Sequence, residues 1–328
     1  MPARVPVSPR AGALVLAVVI AALELAGCGG QSGPAARSPA ASSGTASVSS
    51  ARTTTSAPAP PPAPRPPVPA LVVSPPRAAG AGWRRVASVH GRPAAWEAQR
   101  GGVTLLRFDQ QFVRLVLHAG EGEPSGTWRY GAQIEPSEIH HVVAGFNGGF
   151  KFNTGVVGWK SGGRVAAPLR SGRGSIVTYR DGTTAIAAWH AGVPAAGRPV
   201  YSVLQNGSLL VDHGAAAENV EGCIQSCWGS TVGNVDSVAR SGLGITGSGQ
   251  LVWGAGESLL PATLAHGLIA AGAQRAVELD INPDWIAGYL YVHGGSGPSA
   301  SPVVPGQHGA AGRYLEPSAR DFFTVVAR

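Results

Sequence analysis

The side chains able to do chemistry in this sequence sit at the ends of short apolar runs, two of the three cases close to glycine. The first case is "VVAGFNGGFKFNTG", residues 142–155, where an apolar run stops at Asn147-Gly148-Gly149 and resumes with two aromatics around a lysine. Glycine accepts positive φ and leaves no side chain between the backbone and a bound group. The stretch reads either as a plain turn or as a place where the backbone meets a ligand. In the second, "ARSGLGITGSG", Arg240 precedes Ser241-Gly242. A guanidinium beside open amides suits a phosphate through its planar fork, and the plainer reading is a surface arginine. In the third, "VELDINPDW", Glu278 and Asp280 lie two apart. On a strand they would share one side at roughly 7 Å between Cα atoms. Paired carboxyls at such spacing can cleave glycosidic bonds. They equally fit a solvent face or, with Asp284, a weak calcium site, so a divalent cation is permitted without being required and no other cofactor is implied.

Other chemistries have no signature here. The chain lacks a phosphate-binding G-x-x-x-x-G-K-[ST], a G-x-S-x-G elbow and an H-E-x-x-H helix. Of its 25 basic and 18 acidic residues, six arginines and one acid, Glu24, fall in residues 1–80, leaving 19 against 17 in the rest. The basicity belongs to the N-terminal segment, and only Lys151 and Lys160 supply lysine, so nucleic-acid binding is not supported.

The N-terminus reads as an export signal over residues 1–27. Arg4 and Arg10 precede the apolar run "AGALVLAVVIAAL", which is short for a bilayer span. "LAGC" follows, a bacterial lipoprotein signature, so Cys28 is the expected lipidation site. The chain would then be exported and lipid-anchored to the outer face of the cell membrane. With Cys28 assigned, Cys223 and Cys227 of "CIQSC" remain for a short-loop disulfide that pins a loop. Residues 28–80 are rich in Pro, Ala and Ser and hold 12 of the 27 prolines, the composition of a disordered, semi-stiff stalk.

These side chains need a scaffold, and residues 81–328 provide one domain's worth of short β-rich runs between glycine turns. "VTLLRFDQQFVRLVLHAG" (103–120) predicts a hairpin or strand pair. "GSIVTYRDGTTAIAAWH" (174–190) predicts a hairpin turning at Asp181-Gly182, and 237–256 another turning at "TGSGQ". Pro136–His141 predicts a short helix. "SLLPATLAHGLIAAGAQ" predicts a firmer one, capped by Ser258 and ended at Gly272. The fold class is α+β: a single mixed, mainly β domain with a twisted sheet and a few packed helices.

Taken in order, "AGFNGGF", "QNGSLLVDHG", "ARSGLGIT" and a helix followed by "GAQRAVELD" resemble the phosphodiester glycosidase family over residues 100–328. That family includes the enzyme that uncovers mannose 6-phosphate by removing N-acetylglucosamine from a phosphodiester, and many exported bacterial proteins. The resemblance implies hydrolysis of a sugar-1-phosphodiester or related wall glycoconjugate, with a carbohydrate or sugar-phosphate ligand. Asn147, Gly148 and Gly149 would line the pocket, Arg240 would face the phosphate, and Asp280 would be the key acid with Glu278 as its partner. After Asp280 the family has Gly-Gly-Gly-Ser, whereas this chain has Ile-Asn-Pro-Asp-Trp. The proline removes a donor, and Trp285 adds a face on which a sugar ring can stack. A second reading keeps the same surface as a non-catalytic binding site for a wall polymer or sugar phosphate.

Overall fold

The computed structural model describes residues 70–77, 80, 82–310 and 312–328. The signal segment 1–27, Cys28 and most of the stalk lie outside them. Strands supply nearly all the regular structure, arranged in three sheets rather than one. The largest runs in the order Leu71–Val73, Arg84–Val89, Arg92–Arg100, Val103–Phe108, Leu251–Leu259, Val238–Thr246, Ala273–Glu278, Leu209–Asp212 and Ala215–Ala216, antiparallel throughout. A six-stranded sheet is centred on Gly174–Tyr179 and Val200–Asn206. A five-stranded sheet places Val142–Asn147 between Gly288–Gly294 and Phe322–Ala327.

The sheets share one apolar core. Trp253 and Phe108 of the nine-stranded sheet meet Phe146 of the five-stranded one, with ring centroids 5.4 and 6.3 Å apart, and Phe323 lies 5.7 Å from Phe146. Ile176, Leu204 and Trp159 bring the six-stranded sheet into the same cluster. Aromatic residues of this size dominate core energetics, each worth about 1.5–3 kcal/mol when fully buried. The helix Pro261–Ala270 covers the other face of the large sheet, where Leu264 and Leu268 pack with Val103, Leu105 and Ala276.

Both turn-marked hairpins form. Thr184–Trp189 pairs with Gly174–Tyr179, and Leu251–Leu259 with Val238–Thr246. The 103–120 segment does not pair with itself. Val103–Phe108 stays in the nine-stranded sheet, and Val113–His118 crosses to the five-stranded one. Asp109 turns the chain by accepting from the Gln111 N–H, and Gln110 anchors the corner on Thr184 and Gly249. Residues 136–141 form turns closed on Glu135 and Glu138 instead of a helix. So short a run cannot recover the cost of helix nucleation before the strand at Val142 begins. Ser258 is no cap either: it lies in a strand and bonds Ser237. Pro261 opens the helix instead, its missing N–H costing nothing at that position. Gly272, at φ +95°, ends it as expected. The triplet Leu71–Val73, inside the segment assigned to the stalk, pairs with Arg84–Val89 and carries the fold back to residue 71.

Candidate functional site

Three strands, one from each sheet, end at the same place. Val142–Asn147 ends in Asn147, Val200–Asn206 in Asn206 and Ala273–Glu278 in Glu278. Short polar side chains lace these ends together. Asn147 Nδ2 donates to Ser241 Oγ (2.9 Å) and to the Gly148 carbonyl (3.1 Å), while Ser241 Oγ donates to the Asp280 carbonyl (3.2 Å). Asn206 Nδ2 donates to the Glu278 carbonyl (2.6 Å), and its Oδ1 accepts the Phe150 N–H (3.0 Å). The Asp280 N–H closes the lattice on the Gly148 carbonyl. A buried carbonyl or N–H must be satisfied, so these contacts fix the backbone on both sides of Asp280.

Asp280 stands on the wall of a cleft of about 740 Å³. Its Oδ1 accepts the N–H groups of Ile281 (2.7 Å) and Asn282 (3.0 Å), which sets the carboxyl's direction. Its Oδ2 faces Arg320 Nη1 at 3.6 Å. Burial pushes Asp280 up, opposed by the Arg320 charge and by the two amides. Arg320 is itself positioned, with Nη2 on the Gly149 carbonyl (3.0 Å) and Nε 3.5 Å from Glu123 Oε2. Lys151 and Arg173 add positive charge to the cleft, and Phe150, Trp228 and Trp285 give it aromatic walls. Arg320 and Arg313 each lie 5.8 Å from the Trp285 ring.

The sequence-derived residues separate into two groups. Asn147, Gly148, Gly149, Asp280 and Trp285 surround the cleft or the small chamber that adjoins it. Arg240 and Glu278 do not line either cavity. They form a fully buried pair, Nη1 to Oε1 at 2.8 Å, behind the wall. Arg240 also donates to the carbonyls of Leu259, Trp228 and Asp236, so its fork is occupied by the protein. Burial pushes the Glu278 carboxyl up, and the Arg240 guanidinium opposes it. The carboxyls of 278 and 280 therefore do not work as a facing pair. Asp284 is exposed beside His308, and among the described residues no group of three His, Cys, Asp or Glu is placed to hold a metal ion.

Cys223 and Cys227 are joined across the one-turn helix Ile224–Cys227. The bridge anchors the rim loop just before Trp228, whose ring is buried and whose carbonyl accepts from Arg240. The glycines have a structural reason of their own. A Cβ on Gly148 would lie 2.5 Å from Asp321 Cγ, and one on Gly149 would lie 3.1 Å from Asn206 Oδ1. Gly148 thus cedes its side-chain space to a carboxyl delivered from the far end of the chain. Sequence reasoning missed Arg320, Asp321 and Asn206. Arg320-Asp321 directly precede the "FF" that opens the last strand, with no flanking glycine to mark them. Asn206, though, stands in the quoted block "QNGSLL" and repeats the strand–Asn–Gly pattern of Asn147.

No family model and no curated protein matches the sequence. Among solved structures, the chain is similar to the catalytic domain of zebrafish N-acetylglucosamine-1-phosphodiester alpha-N-acetylglucosaminidase, auto-inhibited by its pro-peptide. That match has 15% identity and a TM-score of 0.45, covering 80% of this chain and 85% of the other. A protein from Synechocystis is similar at 13% identity and TM-score 0.42, covering 73% of this chain and 63% of its own. A Burkholderia pseudomallei protein described as exported follows at 11% identity and TM-score 0.31, with coverage of 72% and 75%.

Proposed function

We propose that this chain hydrolyses the glycosidic bond of a sugar-1-phosphodiester, or of a related wall glycoconjugate, outside the cytoplasm. The observation that carries the reading is Asp280: Oδ1 is pinned by two backbone amides, and Oδ2 is left beside Arg320 on the wall of a large cleft. A carboxylate so held can act on a group at an anomeric carbon without reorganising. Arg320 suits the phosphate oxygens, whose charge grows as the bond to the sugar breaks. A phosphomonoester leaves without needing a proton, so Asp280 serves best as the base for the attacking water. Trp285 gives a sugar ring a stacking face. The order of the four sequence blocks supports the same reading, with Arg320 taking the phosphate role that resemblance gives to Arg240. The leader and "LAGC" support export and anchoring to the membrane through a lipid on Cys28.

The test incubates the full-length chain with a panel of sugar-1-phosphodiesters and follows released sugar. Asp280→Asn should lower turnover by about 10²–10⁴-fold. Unchanged turnover in that variant removes Asp280 from the reaction. No release from any substrate, with a raised melting temperature in the presence of one, makes the cleft a binding site instead.

A further inference from the structure

Behind Asp280 the fold encloses a small chamber of about 10 Å³, close to the volume that holds one water. Asn147, Gly148, Asp280, Tyr314, Arg320 and Asp321 form its walls. Asn147 Oδ1, both carboxylate oxygens of Asp321, and Nε and Nη1 of Arg320 are buried without a hydrogen-bond partner. Unpaired buried polar atoms are rare because each forfeits its hydration without return. Three are acceptors and two are donor nitrogens, and none reaches another within hydrogen-bond distance. One water in the chamber can accept from Arg320 Nη1 and donate to Asp321 and to Asp280 Oδ2, which Nη1 faces at 3.6 Å, so that it touches both carboxyls. The Gly149 N–H faces Asp321 without closing a hydrogen bond on it.

We propose that Asp321 is the proton store for Asp280, exchanging a proton with it through a single water held in this chamber. The inference rests on the hydrolytic reading of the cleft. In that step the water oxygen bonds to the anomeric carbon, and the bond from that carbon to the phosphate oxygen breaks, its electron pair leaving with the phosphate. The proton released by the attacking water passes to Asp280, then through the chamber water to Asp321, and to solvent before the next turnover. Asp321 never touches the substrate, so it is a positioning residue. Its surroundings suit the role. Burial, Asp280 and Glu123 push the carboxyl up to about 7, against the pull of Arg320 from its own segment. Tyr314 and Arg313 face the chamber from the neighbouring turn. Gly148 is what lets the carboxyl reach this place.

The test is Asp321→Asn in the full-length chain, because the amide keeps the shape and cannot store a proton. Wild-type turnover should rise with pH through about 7 as the stored proton leaves. The variant should lose kcat by on the order of tenfold or more with KM nearly unchanged, and its rising limb should move to lower pH. A limb that stays in place overturns the proposal. Thermal melting reads the same carboxyl without any substrate. Its folded pKa is raised, so its contribution to stability is complete below about pH 4 and is lost as pH rises through about 7. The melting temperature of the variant should therefore climb relative to wild type between those limits, and a constant difference overturns the store. Loss of the hydrolytic reading alone would leave this melting pattern intact.

Discussion

Replacing Arg240 with methionine separates a structural arginine from a phosphate-binding one. The guanidinium is fully buried and donates to Glu278 Oε1 at 2.8 Å and to three backbone carbonyls. Methionine keeps much of the apolar volume but leaves the Glu278 carboxyl without its counter-charge. Breaking one side of a buried pair costs about 3–5 kcal/mol. For a domain of this size each kcal/mol lowers the melting temperature by about 2–4 °C, so the loss should be about 6–20 °C. Glu278→Gln should cost less than Arg240→Met, since an acceptor remains for Nη1. The double variant Arg240→Met/Glu278→Gln should recover at least ~2 kcal/mol of the summed losses, because neither charge is then stranded. The assay is thermal or urea melting of the four proteins, with ligand affinity measured in those that fold. Should Arg240→Met melt within about 2 °C of wild type yet lose affinity for a sugar phosphate, the guanidinium faces the ligand and the reasoning fails.

Two further outcomes follow from the same geometry. Gly148→Ala drives a methyl to 2.5 Å from the Asp321 carboxyl and should cost about 1–3 kcal/mol. Adding Asp321→Ala should recover most of that loss, and additive effects in the melting of the double variant would refute the contact. Reducing the Cys223–Cys227 bridge, which closes a loop of four-residue separation, should cost about 2 kcal/mol by chain entropy. Melting with and without a thiol reductant checks it, and an unchanged midpoint would show that the rim loop is held by Trp228 and its neighbours alone.

Much of the frame was legible in the residues. Asp181-Gly182 and the "TGSGQ" turn specify hairpins because a tight turn needs residues that accept its dihedrals, a requirement local in sequence. Pro261 and Gly272 bound the helix for reasons equally local. Asn147 and Asp280 came forward because each ends an apolar run at a change of backbone chemistry. The partners of these residues were a different matter. Arg240 and Glu278 alternate on strands with apolar neighbours, and nothing in that pattern says whether a charge meets solvent, a ligand or another charge. The register of Gly242 opposite Glu278 brings them together behind the wall.

The sequence by itself determined the β-rich domain, its tight turns and the run-ending Asn147 and Asp280, because those features rest on backbone dihedrals and short-range alternation. Only the tertiary structure decided which charges line the cleft. The five-stranded sheet sets Phe322 opposite Asn147 across 175 residues of sequence, and so seats the preceding Arg320 and Asp321 against Gly148 and Gly149. Side chains so far apart in the chain share no local signal. Their meeting is set by strand order and packing, and at Gly148 by the space that a missing side chain leaves for a carboxyl.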